Sequence, residues 1–210
     1  MSILGEEFNV INIGKKYVKL TSENCCHNGV IFEEGLIVDP IPFSTIMDCS
    51  RGGIYCCPLE KFSHWVNYKK DVMCFCWDVT IPNDALVYEE SLDKIKCSKI
   101  ILSNKRRIQD MPELNETEHQ VHITIHGLAG YIKHFTDEAQ VGIVKHYPSF
   151  ISLFENSCKD AQMEAVNIDC RNVLLIKNPC VEALKFVYSI NPILLDSIQL
   201  SDSTRLLLSQ

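Results

Sequence analysis

The chain has 210 residues, of which 46% are hydrophobic and 22% are charged. This composition is ordinary for a soluble globular protein of one large domain or two small ones. No apolar run approaches the roughly 18 residues that span a bilayer, and the first residues lack the features of a signal peptide, so we expect no membrane partner. The net charge of −7 opposes contact with phosphate backbones and argues against a nucleic-acid partner.

The first 110 residues contain several short segments that favour β-structure. Residues 9–21 alternate apolar and polar positions, as in a half-buried strand or hairpin. Only residues 58–67 have an apolar stripe at helical spacing, with Pro58 suited to a first turn. Further strands are expected at 29–32, 35–38, 72–81 and 99–103. We therefore expect a small α+β recognition domain over residues 1–110.

The eleven cysteines do not suggest a disulfide framework, because their number is odd and no export signal precedes them. Cysteines between Cys25 and Cys76, together with His27, could supply four zinc ligands. No C-x-x-C spacing occurs among them, so packed, reduced thiols are the favoured interpretation. We also found no oriented nucleophile and base. The sequence thus predicts no catalytic residues, no metal and no cofactor.

One stretch concentrates basic side chains, placing six of them in 14 positions. A phosphate group, an RNA or an acidic partner could bind there. The alternative is a charged edge strand and loop that prevent unwanted strand pairing. The candidate contact residues are Lys94, Lys96, Lys99, Lys105, Arg106 and Arg107.

The polar, acidic segment 109–120 contains Pro112 and is the best candidate for a domain boundary. After it, apolar residues recur every 22 positions, which is typical of stacked supersecondary units. Each unit is expected to be a short helical hairpin, whose first helix starts near an acid-Ala pair. The corresponding residues include Ile132, Phe154, Ile176 and Ile198. We therefore predict an α+β fold: a small mixed domain, then an all-α repeat stack over 119–210, with a terminal cap at 202–210.

The repeat sequence resembles the short helical repeats abundant in giant viruses of the mimivirus type. Tyr131-Ile-Lys-His and Leu174-Leu-Ile-Lys-Asn, with the Ala165-Val166 pair, follow the Tyr-Ile-Lys-Asn and Ala-Val theme of those repeats. Segments 35–43, 52–55, 79–88 and 99–105 look like a domain that precedes repeats in many mimivirus-type proteins. The resemblance implies a viral origin and an interaction role.

A second similarity is to ADP-ribosyltransferases, in which an early strand, a Gly-Leu turn, a Gly-Ile-Tyr segment, a helix and a late strand follow in order. Segments 17–21, 35–36, 53–55 and 99–102 fall in that order around the helix at Pro58. Lys19 stands where that family has a His or Arg that holds NAD, and the expected late glutamate is missing. This similarity implies at most a divergent nucleotide binder.

These observations predict a non-enzymatic adaptor that binds a viral or host protein. The giant-virus resemblance implies that it acts in the host cytoplasm, at the virus factory, or in the virion. The alternative is the divergent, inactive ADP-ribosyltransferase-like protein that binds a nucleotide.

Overall fold

A computed structural model describes the chain at residues 2–47, 49–68, 71–198 and 208. It divides into two compact units, Met1–Met111 and Pro112–Gln210. The border between them falls inside the segment 109–120, which the sequence marked as polar and acidic. Each unit has its own hydrophobic core.

The first unit begins with a short strand, one α-helix and a series of strands. The helix is α1 (Gly5–Ile11), and 3-10 helices occupy Leu59–Trp65 and Ile108–Asp110. The strands are β1 (Ile3–Leu4), β2 (Tyr17–Thr21), β3 (Cys26–His27), β4 (Val30–Ile31), β5 (Gly35–Val38), β6 (Ile54–Pro58), β7 (Asn67–Tyr68), β8 (Asp71–Val72), β9 (Phe75–Thr80), β10 (Leu86–Ser91), β11 (Lys94–Cys97) and β12 (Lys99–Arg107).

Eight of these strands form one antiparallel sheet in the order β1-β10-β11-β6-β2-β9-β12-β5. Two small hairpins, β3-β4 and β7-β8, lie outside it. β2 is central, and all five of its residues are buried. Helix α1 covers part of the core, where the rings of Phe8 and Tyr17 lie 5.3 Å apart.

The predicted fold class is wrong. The fold is mixed α/β with a large eight-stranded antiparallel sheet, rather than a small domain ahead of an all-α repeat stack. The sheet was underestimated because strands buried on both faces lose the alternation that marks a half-buried strand. In β6, for example, the neighbouring thiols Cys56 and Cys57 point to opposite faces and both are buried.

Three local predictions in the first unit also need correction. Residues 9–11 belong to helix α1, so only the second half of segment 9–21 is a strand. The predicted helix at 58–67 is a 3-10 helix of seven residues. The strand predicted at 72–81 is two strands, β8 and β9.

The second unit alternates α-helices with 3-10 helices. The α-helices are α2 (Thr117–Ile125), α3 (Asp137–His146), α4 (Lys159–Ile168) and α5 (Val181–Ile190). The 3-10 helices span Pro112–Asn115, Ala129–Tyr131, Pro148–Leu153, Cys170–Leu175 and Pro192–Ser197.

These elements are spaced 22 residues apart along the chain. Helices α3, α4 and α5 start at residues 137, 159 and 181, and the 3-10 helices that follow them start at 148, 170 and 192. Of the residues predicted to recur, Ile132, Phe154 and Ile176 are buried, as are Ile151 and Val173, whereas Ile198 is only partly buried. The predicted terminal cap at 202–210 lies outside the described residues, apart from Leu208, which is helical and buried.

Candidate functional site

Two of the six basic residues proposed as a contact surface have side chains that point into the interior of the first unit. Lys96 is fully buried in β11. Its ammonium donates hydrogen bonds to the Ile46 carbonyl (3.2 Å), the Ser50 hydroxyl (3.0 Å) and the Arg51 carbonyl (3.3 Å). Lys94 is 12% exposed at its side chain and is also turned inward. Lys96 therefore holds the segment around Ser50 in place, and neither lysine side chain faces outward to a partner.

The other four basic residues are exposed to different degrees and are already engaged within the unit. Beyond Leu102, β12 pairs only with β9, so the charged part of β12 has one open edge. This placement fits the alternative of a charged edge that resists unwanted pairing; a partner or phosphate contact there stays a prediction. The contacts are Lys99 with Asp84 (2.5 Å), Arg106 with Asp78 (2.6 Å), Arg107 with Glu23 (3.3 Å), and Lys105 over the Phe75 ring (4.0 Å).

A cleft opens in the sheet where β2 and β6 separate. The two strands pair only at Tyr17 with Pro58 and at Val18 with Cys57, whereas β2 continues to pair with β9 as far as Thr21. One edge of β2 is therefore left without a neighbouring strand after Val18. The divergence places side chains of β2, β6, β7 and the Leu59–Trp65 helix around one cavity.

The cavity has a volume of about 60 Å³ and mainly apolar and aromatic walls. Typical ligand pockets measure roughly 300–1,000 Å³. The cavity as it stands therefore suits a small group rather than a whole nucleotide. Its walls include Leu20, Tyr55, Cys56, Trp65, Tyr68 and Met73.

Lys94 forms a buried ion pair at one wall of this cavity. Its ammonium lies 2.6 Å from a Glu90 carboxylate oxygen, 5.0 Å from the centre of the Tyr55 ring and 5.2 Å from that of Trp65. Burial lowers the pKa of Lys94, but hydrogen bonds with Glu90 and Cys49 outweigh this effect and raise it. The Glu90 carboxylate thus holds the cation in its charged form, with one aromatic ring on each of two sides. Sequence reasoning had placed Lys94 in the contact surface and missed Glu90 and Trp65.

The tyrosine hydroxyls of the cavity stay protonated at neutral pH. Burial, followed by the nearby Glu90 carboxylate, raises the pKa of Tyr55 to about 12. Burial also raises the pKa of Tyr68 well above its usual range, with a further contribution from the nearby Cys49. A phenol with a raised pKa donates a hydrogen bond and does not serve as a general base near pH 7.

Two buried thiols of the first unit, Cys57 and Cys97, also hold their protons more tightly than an exposed thiol. Burial raises the pKa of Cys57, and a hydrogen bond with Cys56, followed by burial, raises that of Cys97. The eleven cysteines are free thiols. In the part of the chain that the structure describes, no three His, Cys, Asp or Glu side chains come close enough together to hold a metal ion.

Buried glutamines join neighbouring helical units, and sequence reasoning missed them. The side-chain carbonyl of Gln140 accepts a hydrogen bond from Cys158 N (2.8 Å), and that of Gln162 accepts one from Cys180 N (2.7 Å). Both glutamines follow an alanine of the repeated acid-Ala pair, 22 residues apart. The sequence does show a glutamine recurring after 22 residues. A polar residue at a repeat position suggests an exposed face, however, so the pattern did not indicate a buried contact.

The helical units also carry exposed apolar residues at the repeat spacing. Ile168 and Ile190 are the last residues of α4 and α5, and they are 50% and 57% exposed. Because α4 packs against α5, these equivalent positions lie in adjacent helical repeats of the second unit. Leu153 and Leu175, which end successive 3-10 helices, form a second exposed pair.

None of the described helices is both long and apolar enough to cross a membrane. Comparison of the chain with protein-family models, with curated proteins and with solved structures finds no match in any of the three.

Proposed function

We propose that the chain is a non-enzymatic adaptor that binds another protein through the exposed apolar residues of its helical units. The observation that carries this proposal is that Ile168 and Ile190, which stand at equivalent positions of successive helical repeats, are each about half exposed. Exposed apolar groups that repeat along a surface and are surrounded by polar residues are typical of protein interaction sites. Following the viral resemblance, we place this activity in a giant-virus infection, at the virus factory in the host cytoplasm or in the virion.

The net charge of the helical part of the chain indicates what kind of partner would bind. Residues 111–210 carry 7 basic and 12 acidic side chains, so this part of the chain is negative overall. A partner with apolar residues flanked by lysine or arginine would complement it.

The test is affinity purification of the tagged chain from infected cells. We expect a stoichiometric protein partner that is lost from the double variant Ile168→Asp, Ile190→Asp. Leu92→Asp is the matched control, since Leu92 is 99% exposed and lies in the first unit. Equal recovery of the partner by the double variant and the control would contradict the proposal, provided that thermal melting shows both to be folded.

The cleft between β2 and β6 supports a second candidate function, nucleotide binding by a divergent ADP-ribosyltransferase-like site. Two segments that carry that similarity, 17–21 and 53–55, contribute Lys19 and Tyr55 to the same cleft. The cavity would have to widen to admit a nucleotide. Millimolar NAD should then raise the melting temperature of the wild-type chain and not that of Tyr55→Ala. An unchanged melting temperature of the wild-type chain would remove this candidate.

A further inference from the structure

Lys19 is an unusual residue at the centre of the sheet. It lies in the middle of β2, opposite Trp77 of β9, and is only 5% exposed. Alternation along the strand puts it on the same face as Tyr17 and Thr21, among core residues. A lysine is almost never buried in this way unless its charge is paired.

The amine of Lys19 has an aromatic neighbour instead of an oxygen acceptor. Its nitrogen lies 4.6 Å from the centre of the Phe32 ring. Among the residues that the structure describes, no ion pair or hydrogen bond connects this nitrogen to a carboxylate, carbonyl or hydroxyl. Burial lowers the pKa of Lys19, and the nearby thiols, led by Cys56, offset this effect only in part. A neutral, nucleophilic amine is therefore easier to form here than at the surface.

The same residue borders two cavities. One is the cavity of about 60 Å³ described above, and the other measures about 20 Å³ and is walled by Phe32, Val30 and Ile54 among others. His27 borders both, so an imidazole lies in the same cleft. Both spaces that Lys19 borders are small and mainly apolar, and the larger one suits a molecule of a few heavy atoms.

We propose that Lys19 is a nucleophilic amine that captures a small apolar aldehyde as an imine in this cleft. This inference goes beyond the adaptor function and does not depend on it. An aldehyde fits because imine formation needs no leaving group other than water, and neither an oxidant nor a reductant.

Imine formation consumes only the amine and the aldehyde, and it releases water. The nitrogen lone pair attacks the carbonyl carbon, and the carbonyl π electrons move to oxygen. After proton transfer, the carbinolamine loses its hydroxyl group and one N–H proton as water, leaving a C=N bond to Nζ. A proton donor speeds the departure of the hydroxyl, and the imidazole of His27 is a candidate for this role.

Lys96 provides a control within the same chain. It is also buried, and burial likewise lowers its pKa, but its ammonium donates hydrogen bonds to three oxygens. Those bonds favour the protonated form of the nitrogen and occupy its protons. Lys145 is exposed and serves as a surface reference.

The experiment treats the full chain with propanal and cyanoborohydride at neutral pH, digests it, and maps the propylated lysines by mass spectrometry. The hydride adds to the imine carbon and fixes the adduct on nitrogen. We expect Lys19 to be labelled ahead of Lys145, and Lys96 to stay unlabelled. Pyridoxal phosphate, which is too large for the cleft, should reverse this order and label Lys145.

Lys19→Met should lose the main label without losing the fold, which thermal melting checks. A second variant, Phe32→Leu, keeps the amine and should leave Lys19 as the preferred site. Labelling of Lys19 no faster than of Lys145, or labelling of Lys96 as fast as of Lys19, would overturn the proposal.

Discussion

The side-chain carbonyl of Gln162 accepts a hydrogen bond from the backbone N–H of Cys180 at 2.7 Å, across 18 residues of chain. Its amide nitrogen donates to the carbonyls of Ser157 (3.0 Å) and Asn178 (3.1 Å). The side chain is 3% exposed. One buried glutamine thus satisfies three backbone groups that flank the starts of two successive helices.

Replacing Gln162 by leucine should destabilise the chain by about 1–3 kcal/mol, because the N–H of Cys180 would be left buried without an acceptor. Urea denaturation measures the change in the free energy of unfolding. Asn167→Leu, on the exposed side of α4, is the control and should change stability by no more than about 0.5 kcal/mol. Equal effects of the two substitutions would show that the hydrogen bond contributes nothing.

The N-cap of α4 can be improved. Cys158 accepts a hydrogen bond from Ala161 N through sulfur at 3.4 Å, whereas the equivalent Thr136 accepts one from Ala139 N through oxygen at 3.1 Å. A hydroxyl is the stronger acceptor, so Cys158→Ser should be more stable than Cys158→Ala by about 0.5–2 kcal/mol, with the wild type between them. Thermal melting of the three chains gives the order. A serine variant no more stable than the alanine variant would contradict the prediction.

Gly5 has no room for a side chain. An added Cβ would lie 2.0 Å from the Pro82 carbonyl oxygen, and a hydrogen bond from Gly5 N to the Ala85 carbonyl (2.8 Å) fixes the backbone. Gly5→Ala should therefore cost about 1–3 kcal/mol. Gly130→Ala is the control, since nothing lies within 4 Å of its added Cβ. Chemical denaturation should show a loss for the first variant and little change for the second.

The raised pKa of Tyr55 makes stability fall at high pH. The group has a pKa of 10.0 when unfolded and about 12 when folded, so the folded chain holds the phenol proton more tightly. Its contribution to stability is complete below pH 10 and is lost as the pH rises toward 12. Tyr55→Phe should therefore show a shallower decline than wild type between these values, measured by urea denaturation. Parallel declines in the two chains would show that Tyr55 does not titrate differently on folding.

The sequence predicted the helical units well because their information is local. The acid-Ala pairs mark the helix starts at Asp137, Lys159 and Val181, and Pro148 marks a 3-10 helix. Each unit repeats the same short-range pattern, so the period survives single departures such as Cys170 in place of proline.

The sheet and its cleft were harder to predict because they depend on distant pairing. β2 lies between β6 and β9, which are about 40 and 60 residues further along the chain. The sequence around Lys19 does not indicate that β6 stops pairing with β2 after Val18. Likewise, the sequence around Lys94 does not indicate that Glu90 and Trp65 lie beside this lysine. The basic run looked like one surface because charged side chains usually lie outside, but Ile95, Lys96 and Cys97 of β11 are all buried.

The hydrogen bonds of Gln140 and Gln162 to the starts of the following helices also limit how the length of this part of the chain can change. From Gln140 to Cys158 and from Gln162 to Cys180 the separation is 18 residues in each case. Inserting or deleting one residue in such an interval would move the N-cap amide away from its acceptor, whereas a whole 22-residue duplication would bring its own glutamine and its own amide. Natural variants of this region are therefore expected to differ in length by complete units.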